Sequence, residues 1–306
     1  GFINYYSGDH TTSDSIFPNL DSYRIDNDYS ISANLSGPII PGFATFYSSA
    51  RINRSAGWLN GLNTFTMYGD TIFYDNNNNH YRDNNEPLKN PQYESLNLYD
   101  SWSTQNKITF RLRPMTRLKI NTIFNSGTSQ GYDHNRQMTH EGRKKNFDYG
   151  AFIGFNLSHS FSALSFIDLY LTEYTHQFQS YVFEEPLDPR YITPDSLFWA
   201  HIEGRLPNEV INKYGSEVNY FPQYTVARWG VDTDRFERET KTRSLRLDAT
   251  SQINKYNQIK FGFDVTRHQL SLDTYALLDS SQADQIFTPF IPQIGSFNRS
   301  TYEYNP

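Results

Sequence analysis

The sequence predicts an all-β fold, an antiparallel up-and-down transmembrane β-barrel that is incomplete, with about nine strands in its wall. Three observations predict it. Apolar and polar residues alternate with a period of two. The alternating runs last roughly 9 to 13 residues, against about 5 or 6 for an ordinary globular strand. The links between runs are alternately very short and very long. Tilted strands that cross a bilayer need about that length.

Along the chain, Tyr29, Ile31, Ala33 and Leu35 alternate with Ser30, Ser32, Asn34 and Ser36. Ile108, Phe110 and Leu112 alternate with Lys107, Thr109, Arg111 and Arg113. Phe147, Tyr149, Ala151, Ile153, Phe155 and Leu157 form one wholly apolar face against Asp148, Gly150, Gly154, Asn156 and Ser158. The pattern returns in Leu245, Leu247 and Ala249 against Ser244, Arg246, Asp248 and Thr250, and in Ile259, Phe261, Phe263 and Val265 against Lys260, Gly262, Asp264 and Thr266.

Short turns are expected at GPIIPG (Gly37 to Gly42), RPMT (Arg113 to Thr116), HSFSA (His159 to Ala163) and NKYN (Asn254 to Asn257). Long polar loops are expected at about 9–22, 55–98, 129–146, 179–240 and 272–306. Tight turns on one rim and long loops on the other are the asymmetry of outer-membrane barrels; a soluble sandwich has loops of more equal length. Within 179–240, Thr193, Pro194 and Asp195 ahead of SLFWAHIEG predict a short capped helix, and PNEVINKYG predicts a second that stops at Gly215. Such helices fold over the barrel mouth.

Composition narrows the classes. Of 306 residues 37% are hydrophobic, 16% aromatic and 20% charged. No stretch approaches the roughly 18 apolar residues of a membrane helix. A net charge of −6 without a basic cluster argues against nucleic acid. The absence of cysteine removes disulfides, thiolate metal sites and a Cys nucleophile. The ends, GFINYY and TYEYNP, read as cut from something longer.

In a membrane the charged faces must turn inward, because a lipid-facing Arg near the midplane costs roughly 2–4 kcal/mol. Lys107, Arg111, Arg113, Arg246, Asp248, Lys260 and Asp264 then line the lumen. Trp58, Tyr99, Trp102, Phe161 and Tyr256, near strand ends, suit the two interfacial girdles.

The segment YSISANLSGPIIPGFATFYSSAR (Tyr29 to Arg51), followed by GWLNGLNTF, resembles the early barrel strands of TonB-dependent outer-membrane receptors, with LSGPI (Leu35 to Ile39) at a periplasmic turn. NQIKFGFDVTRHQ (Asn257 to Gln269) is similar to the family's recurring strand after a short turn, and TYEYNP to the lead-in of the next strand. The resemblance covers nearly the whole chain. It implies a 22-stranded barrel plugged by an N-terminal domain, importing a scarce small substrate with energy from the TonB complex across outer-membrane lipid. The chain shows no plug and no TonB-contacting segment, and about nine strands do not close a bacterial barrel, whose strand number is even.

The stretch DNNNNHYRDNNE presents oxygen-bearing side chains at Asp75, Asn77, Asn79, Asp83 and Glu86, with the Tyr81 carbonyl between them. This is the ligand spacing of an EF-hand-type calcium loop. His80 occupies the position where the sharp turn favours Gly. Calcium there is structural, stiffening an extracellular loop; a solvated Asn-rich loop is the alternative.

No catalytic constellation is present: GxSxG, HExxH and the phosphate-binding glycine loop are all missing. His134 and His140 share a loop with Asp133 and Glu141 in no standard metal spacing, so a solvated loop is expected. Glu184 and Glu185 are neighbours on an extended chain and point apart. Tyr220, Phe221, Tyr224 and Trp229 are candidate substrate-contact aromatics, or pack their loop against itself. Three readings stay open: the nutrient receptor, a passive porin or adhesin, and a secreted calcium-stabilised β-sandwich that binds carbohydrate. For the calcium loop, Glu86→Gln is expected to abolish calcium-dependent protease protection of residues 75–86; protection equal to that of the native chain refutes the site.

Overall fold

The structure, a computed structural model, describes residues 1–63, 93–191, 230–280 and 288–305. In chain order its strands are β1 (Phe2–Gly8), β2 (Asp28–Ile40), β3 (Ala44–Ser55), β4 (Asn60–Leu62), β5 (Tyr93–Ser95), β6 (Leu98–Arg113), β7 (Thr116–Gln130), β8 (Lys145–Ser162), β9 (Ser165–Tyr181), β10 (Asp234–Gln252), β11 (Gln258–Ala276), β12 (Leu278–Ser280), β13 (Thr288–Phe290) and β14 (Arg299–Tyr304). Two single-turn 3-10 segments, His140–Gly142 and Pro189–Tyr191, are the other regular elements among the described residues. No helix there is long and apolar enough to cross a membrane, which leaves crossing by strands untouched.

Ten strands make one antiparallel sheet in the order β1-β2-β3-β6-β7-β8-β9-β10-β11-β14, and the sheet is not closed. Two small two-stranded sheets, β4-β5 and β12-β13, stand in the long connections. The expectation of about nine strands is corrected to ten, because β14 falls inside the segment read as the last loop. Strands also run further into the loop side than expected: β10 starts at Asp234 and β11 continues to Ala276.

The turns follow from local chemistry. After Pro41, Gly42 has φ of +76°, and the Phe43 amide donates to the Ile40 carbonyl at 3.0 Å. This is a type II turn, whose third position needs positive φ. At the β10–β11 turn the Asn254 carboxamide oxygen accepts from the Tyr256 amide at 2.9 Å, an Asx turn.

Pairing fixes which residues share a face. Leu171 faces Leu245, which faces Val265, and Leu247 lies between Leu169 and Phe263. The alternate face aligns Tyr170, Arg246 and Asp264, with Asp168 beside Asp248. The apolar face carries a polar patch where Ser48 donates to Asn106 at 2.6 Å and Asn106 donates to Thr104 and Thr122 at 3.3 and 3.4 Å. These groups satisfy one another, as polar side chains away from water must.

Neither sheet face is covered by a second layer of comparable size among the described residues. The cluster of buried hydrophobics is small and stands on the long-loop side: Tyr191, Val231, Tyr275 and Leu277. A methyl added at Gly42 meets nothing within 4 Å, so Gly42→Ala isolates the backbone cost. About 1 kcal/mol of stability is expected to be lost, measured as a shift in the urea midpoint; no shift refutes the turn assignment.

Candidate functional site at the polar face and loop rim

The polar face divides by charge. On β6 and β7, Lys107, Arg111, Arg117 and Lys119 alternate with apolar residues and lie on one face, with Arg111 directly opposite Arg117. None of the four has a carboxylate partner among the described residues. Like charges directly opposite are unfavourable unless an anionic surface lies against them.

On β9 to β11 the same face is mixed. The Arg246 guanidinium donates to Asp248 at 2.8 Å, and Ser244 and Thr266 donate to Asp264 at 3.2 and 3.1 Å. Lys260 stands opposite Thr250. Higher up, His176 pairs with Asp148 at 2.8 Å and stacks on Tyr174.

Six of the seven polar residues expected together, Lys107, Arg111, Arg246, Asp248, Lys260 and Asp264, therefore share a face. Arg113 does not continue that file. The ladder slips between Arg111 and Arg113, and Arg113 meets Thr116 at the turn. Sequence reasoning passed over Arg117, Lys119, Asp168, Tyr170 and His176, although Arg117 and Lys119 alternate with Leu118 and Ile120 in the same way. The calcium-loop residues Asp75, Asn77, Asn79, Tyr81, Asp83 and Glu86, the aromatics Tyr220, Phe221, Tyr224 and Trp229, and the two expected helices lie outside the described residues.

At the long-loop rim, two buried guanidiniums fasten loops by their main-chain carbonyls. Arg143, 3% exposed, donates to the carbonyls of Leu96 and Gly131 at 3.0 and 3.3 Å and to the Gln130 side chain at 3.4 Å. Burial holds its proton affinity below the usual value, while Glu94 and Asp133 pull it back up. Arg235, 2% exposed, donates to the carbonyls of Phe183 and Glu184 and lies over the Tyr181 ring. Burial in turn pushes the Tyr181 hydroxyl up. Sites with several convergent carbonyls suit the five-donor fork of Arg.

The expectation of a solvated loop around His140 is overturned. His140 is buried, with Nδ1 3.1 Å from Glu94 and Nε2 2.7 Å from the Gln137 carbonyl. His134 instead meets Tyr132 at 2.9 Å. The described residues contain no cluster of three or more His, Asp or Glu able to hold a metal. Lys144 ties this loop to Asp232 at 3.1 Å, and the Asp232 amide donates to the Gly142 carbonyl at 2.9 Å.

No family model matches the chain, and no curated protein or solved structure matches it.

The Glu94 carboxyl is held below its ordinary value, first by the hydrogen bond from His140, with desolvation opposing and the charges of His140, Arg143 and Lys145 assisting. A carboxyl depressed on folding contributes stability that is complete above its unfolded value of 4.5 and is lost as pH falls through the lower folded value. Hydrogen exchange at the Leu96 amide, bonded to the Leu59 carbonyl at 2.9 Å, is expected to show no extra opening near neutral pH and selective opening below about pH 4.5. Glu94→Gln should abolish that selective step; a step that survives in the variant refutes the assignment.

Proposed function

We propose that the chain forms part of the transmembrane barrel of an outer-membrane receptor, which captures a scarce nutrient and imports it with energy transmitted by TonB. One observation carries the membrane part: an extended apolar sheet face is exposed, with Leu171 45% and Phe155 43% accessible in mid-sheet. A water-soluble chain rarely leaves so large an apolar surface uncovered. Hydrocarbon is the solvent that suits it.

The height of that face supports the reading. The first charged residue on it is Arg54 on β3, Glu173 on β9, Arg243 on β10 and Arg267 on β11, each close to ten residues from the short turn of its own strand. Ten residues are roughly 33 Å along a strand, or roughly 25 Å upright at barrel tilt, the thickness of an outer-membrane apolar band. Arg243 donates to Glu173 at 2.7 Å, a charged edge where the band stops.

Stagger supports it as well. Followed through successive pairs, Ala44 at the start of β3 is level with Leu169, four residues into β9. A slip of about 13 Å over four ladders of about 4.8 Å corresponds to strands tilted by roughly 35°, within the range of closed barrels. Phe161 and Tyr256 at the short turns and Trp102 near the upper boundary suit interfacial girdles; Tyr99 lies on the opposite face from Trp102.

On this reading the polar face is the lumen, and the unpaired cations of β6 and β7 meet a plug domain or a passing anionic solute. The nutrient-import part rests on the resemblance of Tyr29 to Arg51 and Asn257 to Gln269 to TonB-dependent receptors. In the full-length protein, Phe261→Arg is expected to abolish assembly, read as loss of outer-membrane recovery and of the mobility shift on heating, while Lys260→Phe is expected to be milder. Equal tolerance overturns the face assignment. Uptake that is unchanged in cells lacking TonB overturns the coupling.

A further inference from the structure

The polar face carries its charge unevenly, and its cations extend beyond β6 and β7. Arg51 on β3 stands opposite Ser103, which shares a face of β6 with Lys107 and Arg111. Lys119 lies across from Thr109, between those two in height, and Arg117 faces Arg111. Ser103 to Arg111 is eight residues, roughly 26 Å along the strand. A file of five cations therefore runs from the upper part of the sheet down to its short turns.

The file has little opposing charge. Below Asp28, this face of β1 to β7 carries no Asp or Glu. None of the five cations forms an ion pair among the described residues. Asp168, the acid beside the foot of the file, lies two strands from Arg117, roughly 10 Å away.

At the upper end Arg51 lines a cavity of about 360 Å³ together with Asn4, Ser32, Asn34, Ser49 and Gln105. That volume lies within the range of small-molecule sites. No carboxylate lines it, and Arg51 is exposed. Guanidinium, amide and hydroxyl groups all present donors, and the guanidinium fork matches the paired oxygens of phosphate or carboxylate. At the foot, one monovalent anion would leave half of the Arg111–Arg117 pair unanswered. A solute with two negative charges answers both.

We propose that this flank binds a small solute carrying two or more negative charges, as phosphate or carboxylate, first in the Arg51 cavity and then at the Arg111–Arg117 pair. Lys107 and Lys119 stand between the two stations. A file of cations with several weak stations lets a wet passage select anions and still release them. Binding itself does not need the membrane; its use as a passage rests on the barrel reading above, and narrows the imported nutrient to an anion.

The test is equilibrium binding to the full chain in detergent at low salt, with citrate, glucose 6-phosphate and glucose as probes. The two anions are expected to bind and glucose is not. Arg51→Gln and Arg117→Gln, both at exposed positions, are each expected to weaken the anions at least about fivefold. Lys255→Gln, which removes the same charge at the β10–β11 turn, is expected to leave binding unchanged. An equal loss in Lys255→Gln, equal binding of glucose, or no binding of either anion overturns the inference. A chain that fractionates as soluble yet loses citrate on Arg51→Gln removes the membrane reading and leaves the site standing. A chain that assembles in the outer membrane and binds neither anion does the reverse.

Discussion

The backbone of an antiparallel sheet satisfies its own donors and acceptors, and its pleat sends successive side chains to opposite sides. Everything else in this molecule depends on that constraint. In β10, paired on both sides from Phe236 to Ser251, the backbone groups find their partners within the sheet. The faces can then be sorted by solvent alone. One face keeps Phe261, Phe263 and Val265, the other Lys260, Asp264 and Thr266. Slipping a strand by one residue would exchange them, so the pattern itself locks the register.

The loop rim obeys the opposite rule. Its segments leave carbonyls outside any ladder, and these must find donors once water is excluded. Arg143 and Arg235 supply them from buried positions: Arg143 reaches Leu96 and the far end of its own loop at Gly131, and Arg235 reaches Phe183 and Glu184. A rim organised by point contacts of this kind is stiff where the guanidiniums lie and adaptable between them.

Most of the sheet was legible in the sequence, because the two sides of its strands differ in polarity and so alternate residue by residue. The Phe147 to Ser158 alternation lies within β8 and the Ile259 to Thr266 alternation within β11. Legibility ends where both sides become polar. The first half of β10, DRFERETK, carries charge on both faces and was read as loop, and β14 is too short to show a period. His140 looked like a solvated residue because its partner Glu94 is 46 positions away.

The strands are unequal in a way that would matter for what enters the proposed barrel. β2 and β3 have 13 and 12 residues, whereas β10 and β11 have 19 each, and all four rise from short turns on the same side. The difference is roughly 20 Å along a strand. Set upright, such a sheet has a low sill on one flank and a high parapet on the other, and an opening bounded by it would be cut on the slant. If the sheet closes into the barrel proposed above, a bulky solute would arrive sideways over the sill, across the connection that Asp9 pins through the Arg24 amide and Asn27.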